Sequence, residues 1–186
     1  MGQTVSGISG DKTEAQIGVN DYWIVKVNST GTAIEWQRTL GGSANDIPSA
    51  IREDSDEGLI MIGKSSSGTS ATKTDATNGS TDYWVVKLSS DGQTIEWDKS
   101  LGGSGNDSAE DIIQLADGGY LAGGWSTSGI SGDKDEASQG SADYWLVKLE
   151  TTGCKDETLD FEGLSGTYTD NEYLGTSEVL RTIRFP

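Results

Sequence analysis

Three acids stand within four residues in Ser131-Gly132-Asp133-Lys134-Asp135-Glu136. Oxygen-rich clusters of this kind are what calcium takes as ligands. The earlier stretch Asp11-Lys12-Thr13-Glu14 keeps two acids, and Thr72-Lys73-Thr74-Asp75 between them keeps one. The spacing is not that of an EF-hand. These stretches therefore read either as calcium sites, with Asp133, Asp135, Glu136, Asp11 and Glu14 as donors, or as solvated acidic loops. Asp133 and Glu136 also stand closest to the carboxylate pair of a glycosidase. An enzyme departs from repeat symmetry at one constellation, and no unrepeated constellation is visible, so no catalytic residue is assigned. Tyr120 and Trp125 lie beside a long loop, where a ring can stack on a sugar or pack in the core. Asp21, Asp82 and Asp143, with Asp46 and Asp107, sit at turns, where such side chains accept backbone hydrogen bonds.

Composition removes several chemistries. The 186 residues contain no histidine, which excludes imidazole bases, histidine triads and most zinc or copper patterns. Cys154 is the single cysteine and forms no internal disulfide, so stability comes from the core or from bound ions. Thirteen basic residues against 30 acidic ones give a net charge of −17. Such a surface repels nucleic acid and anionic lipid, leaving divalent cations, basic proteins and neutral glycans as partners. No apolar run approaches a membrane-spanning length, so no membrane insertion is expected.

The elements that must position these residues come in copies. Asp-Tyr-Trp followed by apolar residues and a lysine begins at Asp21, Asp82 and Asp143, at equal intervals that define a 61-residue period. A fixed period of this size marks a tandem repeat of one supersecondary unit. Residues 1–5 read as the end of a preceding unit, 6–66 and 67–127 as complete repeats, 128–153 as the start of a third, and 154–186 as a degenerate repeat or C-terminal cap. The chain is accordingly expected to be a piece of a longer protein.

Within each copy, residues 6–20, 67–81 and 128–142 are rich in Ser, Gly, Thr, Asp and Lys and read as long loops lining one rim. In the Tyr-Trp strand, Trp23, Val25 and Val27 point one way, and Tyr22, Ile24 and the stem of Lys26 the other. Both faces are apolar, so the strand is predicted to be covered on both sides. A glycine turn at Asn28–Gly31 leads to a half-buried strand at Ile34–Leu40. After Gly41-Gly42-Ser43, the stretch from Ile47 suits a strand or a short helix; Asp117-Gly118-Gly119 favours the strand by making a hairpin into Tyr120. Four short strands in one period is the size of a propeller blade.

The Ser-Gly-Asp-Lys loop, Asp-Tyr-Trp with Val-Lys-Leu, the Gly hairpin, the second Trp strand, Gly-Gly-Ser and the Asp-Gly-Gly-Tyr hairpin together resemble the tandem repeats of secreted Bacteroidetes proteins, flavobacterial ones above all, that carry a type IX secretion sorting domain. Residues 6–153 match the pattern. The resemblance implies an all-β fold of propeller blades in the medium or at the cell surface, and no defined activity. About three units fall short of the four blades that close the smallest rings. The predicted function is noncatalytic adhesion or binding of glycan or protein through the loops, with self-association a route to ring closure. The alternative is a structural subunit of an extracellular filament or surface complex.

Overall fold

The computed structural model of the chain describes residues 1–150, together with 169–171 and 180–182. All regular structure among these is β: β1 (Gly2–Thr4), β2 (Asp21–Val27), β3 (Ile34–Leu40), β4 (Asp46–Glu53), β5 (Leu59–Ser65), β6 (Asp82–Leu88), β7 (Ile95–Leu101), β8 (Asp107–Gln114), β9 (Tyr120–Ser126), β10 (Asp143–Leu149), β11 (Thr169–Asn171) and β12 (Leu180–Thr182). They form three antiparallel sheets, ordered β1-β2-β3, β4-β5-β6-β7 and β8-β9-β10-β12-β11, and none closes on itself. Apart from β11 and β12, the expected cap at 154–186 lies outside the described residues.

The hairpins form where the turn residues permit them. Gly31 and Gly92 hold φ of 69° and 71° in the β2–β3 and β6–β7 turns, and Gly118 holds 88° between β8 and β9. Glycine reaches these angles without steric cost. In the corresponding β4–β5 turn a non-glycine, Glu57, adopts φ 66°. The stretch from Asp46 is a strand, as predicted. Pro48 is tolerated there because β4 is an edge strand with a bulge between Pro48 and Ala50.

The sheets stack face to face. All seven residues of β6 are buried. Its Trp84, Val86 and Leu88 pack with Tyr22, Ile24 and Leu40 of the first sheet. Its Tyr83 and Val85 pack with Ala109, Ile112, Ala122, Trp145 and Val147 of the third. Full burial of such side chains stabilises by about 1.5–3 kcal/mol each, so the two inter-sheet layers hold the molecule together. Each layer carries the same polar clasp. The Tyr22 hydroxyl donates to the Trp84 carbonyl at 3.1 Å, and that of Tyr83 to the Trp145 carbonyl at 3.0 Å.

The sheets are out of step with the sequence copies. The middle sheet takes β4 and β5 from residues 6–66, and β6 and β7 from 67–127. The long loops at 66–81 and 127–142 thus join neighbouring strands of one sheet. The passage from sheet to sheet is made by the short Gly-Gly-Ser turns.

Candidate functional site

The long loops and the Gly-Gly turns share one end of the stack, and side chains zip them together. Six consecutive amides of the turn between β3 and β4 find partners. Gly41 donates to Thr72 Oγ1 and Gly42 to Asp46 Oδ2. Ser43, Ala44 and Asn45 donate to the hydroxyls of Ser70, Ser67 and Ser66, and Asp46 to the Asn20 carbonyl. The turn between β7 and β8 repeats this, with Gly102 donating to Asp133 Oδ2 at 3.1 Å and Ser104, Gly105 and Asn106 to Ser131, Ser128 and Thr127. Buried backbone donors need such partners. The small hydroxyl residues that make the loop look featureless are therefore its fasteners.

Beneath the loops lie two carboxyl pairs. Asp21 and Asp46 flank Gly41, where an added Cβ would meet Asp21 Oδ1 and stand 2.9 Å from Asp46 Oδ2. Asp82 and Asp107 flank Gly102 in the same way, with Asp107 Oδ2 at 2.7 Å. All four are wholly buried. As expected, they accept turn amides: Asp21 from Ile17, Asp82 from Asn78, Asp46 from Gly42 and Asp107 from Gly103. Burial pushes the Asp82 carboxyl up to about 6, against its amide bonds and with help from the Asp107 charge. Burial likewise raises Asp21, its bonds from Ile17 and Gly18 opposing and Asp46 assisting.

A lysine closes each loop. Lys12, Lys73 and Lys134 are buried, each held in a tight turn with Ser9, Ser70 or Ser131. The Lys73 ammonium donates to Ser100 and stands 5.0 Å from the Trp84 ring centroid, and that of Lys134 lies 5.9 Å from Trp145. Desolvation lowers Lys73 to about 8 despite the surrounding acids Asp98, Asp46 and Asp75. Composition alone reads these lysines as part of a solvated loop. The signal that finds them is their constant spacing before Trp23, Trp84 and Trp145.

The predicted donors do not gather. Asp11 is exposed, Glu14 accepts the Thr39 amide, and Asp133 accepts from both Gly102 and Asn78, the latter at 3.0 Å. Asp135 and Glu136 are half-buried and engaged within the protein. Among the described residues, no group of three or more His, Cys, Asp or Glu side chains is placed to hold a metal. The two aromatic candidates part company. Tyr120 is buried in the layer between the middle and third sheets, edge-on to Trp97, with its hydroxyl donating to Asp54 Oδ2 at 2.8 Å. Its ring faces no solvent. Trp125 is half-buried and pairs across the third sheet with Tyr144.

At the opposite end, Lys87 is another residue whose role the sequence concealed. Its ammonium is buried 2.9 Å from both Asp54 and Asp56. Desolvation lowers its pKa, yet the bonds to Asp54 and Asp56 outweigh this and leave it raised. A cleft of about 240 Å³ opens at this end between the first two sheets, lined by Val25, Lys26, Trp36, Glu53 and Glu57 among others.

Compared with known proteins, the chain matches no protein-family model and no curated protein. The site itself offers a rim of pinned loops over repeated polar clusters, in which Asp46 Oδ1 and Asp82 Oδ1 are buried with no hydrogen-bond partner.

Proposed function

We propose that this chain is a noncatalytic binding or adhesion module, a piece of a β-propeller working at the cell surface or in the medium, that takes a glycan or protein at the loop rim. One observation carries the reading. Ile8 and Ile130 hold the same position in their loops and stand 68% and 72% exposed beside turns fixed by buried lysines. A loop ordered beforehand loses little conformational freedom on binding, so an apolar side chain displayed on one is a ready contact. The propeller reading is supported by the stacking of the sheets and by the meeting of edge strands β4 and β8, where Ser49 and Arg52 donate to the carbonyls of Ala109 and Ile112. The negative surface favours neutral glycans and basic proteins over nucleic acid.

The test is binding of labelled wild type and of the Ile8→Ser/Ile130→Ser double variant to a glycan array and to intact bacterial and host cells. Wild type is expected to bind at least one surface, and the variant about tenfold more weakly, equivalent to ~1.4 kcal/mol. Binding to neither, or equal binding by the variant, would sink the reading. The second reading, a structural subunit of an extracellular assembly, is favoured by the exposed outer faces of the end sheets.

A further inference from the structure

The layer between sheets is built from a donor face and a receptor face, and each is seen twice. The donor face projects Tyr22 or Tyr83. The receptor face offers the carbonyl of Trp84 or Trp145, reached past a glycine on the neighbouring strand, Gly63 opposite Trp84 and Gly124 opposite Trp145. The glycine is required for the tyrosine to pass. A Cβ at Gly63 would stand 2.6 Å from the Tyr22 hydroxyl, and one at Gly124 would stand 2.8 Å from that of Tyr83.

Among the described residues, both half-interfaces recur on the outer faces of the first and third sheets. The outer face of the third sheet carries Tyr144, the third copy of the donor, 95% exposed where its counterparts are wholly buried. Leu146 and Leu121 share its face, as Val85 and Ile60 share that of Tyr83. The outer face of the first sheet carries Trp23, with Val25 and Val27 in the phase of Val86 and Leu88. Opposite Trp23 stands Gly2, one period before Gly63, and a Cβ placed there meets nothing within 4 Å. The carbonyl and the glycine of the receptor are thus both present, on a sheet of three strands.

We propose that these faces dock on each other between two copies of this chain, the Tyr144 hydroxyl of one donating to the Trp23 carbonyl of the other past Gly2. The contact is head-to-tail, and such contacts either close into a ring or extend as a fibre. Two copies bring six sheets, a number within the roughly four to eight blades of propeller rings. The inference rests on the stacked-blade part of the function proposed above and is independent of its rim ligand. The −17 charge on each copy opposes association, and salt screens it.

Sedimentation and native mass measurements on the full chain test this, with Tyr144→Ala and Gly2→Val as variants. Tyr144 is exposed and Gly2 has open space around it, so neither change disturbs the isolated fold. Wild type is expected to reach twice 19.6 kDa, more readily as salt rises. Each variant should weaken the dimer by about tenfold or more, as loss of a buried hydrogen bond with its apolar contact would do. A wild type that stays at 19.6 kDa, or a dimer indifferent to both variants, overturns the docking. Failure of the stacked-blade reading shows separately: Tyr83→Ala, which empties the layer between the middle and third sheets, would then leave the melting temperature of the monomer unchanged.

Discussion

Asp82 is a residue whose chemistry the fold alters strongly. Its carboxyl is wholly buried beside Asp107 and holds its proton up to about pH 6, whereas its ordinary value is 3.8. The folded state therefore binds more protons than the unfolded state between these two values, and stability falls as pH rises through that window. Asp21, also raised, acts in the same direction. Asp111 and Asp117 are held low, the first by its bond from Arg52 and the second by that from Lys148, and their contributions are lost only as pH drops below the ordinary carboxyl range. The melting midpoint of wild type is thus expected to fall between about pH 4 and 6.5, by an amount equivalent to ~2 kcal/mol for Asp82 alone. In Asp82→Asn the amide oxygen still accepts from Asn78 while the charge is gone, so calorimetric scans across that range should show a flatter profile. Identical profiles for the two proteins would remove Asp82 as the cause.

The element that organises the molecule is the Tyr-Trp strand, because its tyrosine fastens each sheet to the next. Tyr83→Phe keeps the ring but removes the bond to the Trp145 carbonyl, an effect on the order of 1 kcal/mol. For a chain of this size that is a drop of roughly 2–4 °C in melting temperature. An unchanged midpoint would mean the clasp contributes nothing. Much of this element was legible beforehand: apolar residues on both faces of Asp82–Leu88 required cover on both sides, and β6 is buried throughout. The turn glycines were legible too, since Gly31, Gly92 and Gly118 hold left-handed angles. Lys87, Lys73 and the hydroxyl fasteners were not. Their partners, Asp54, Ser100 and the amides of Gly41 and Ser43, are brought in by folding from distant parts of the chain, and composition alone makes such residues look like solvated loop.

At the scale of the whole chain, self-repulsion is the adjustable term. With −17 charges, raising NaCl from about 20 mM to 500 mM shortens the screening length from roughly 20 Å to 4 Å and should raise the melting midpoint. The buried Lys87–Asp54 pair at 2.9 Å is little weakened by salt, whereas the exposed Arg52–Asp111 pair gives up some attraction. A midpoint that falls with salt would mean that specific ion pairs outweigh the net charge. The constant period announced a stacked, repeating molecule, but could not show where one sheet stops and the next begins, because strand pairing is invisible to periodicity. The answer, that the middle sheet joins strands from two successive copies, bears on how such a chain can change over generations. Unequal crossing-over that adds or deletes one whole period leaves no sheet half-built, since each newly adjoining pair of strands finds the partner its predecessor had. The lineage can change its number of copies by whole periods without breaking a sheet, while a single copy lacks the strands that its neighbour supplies.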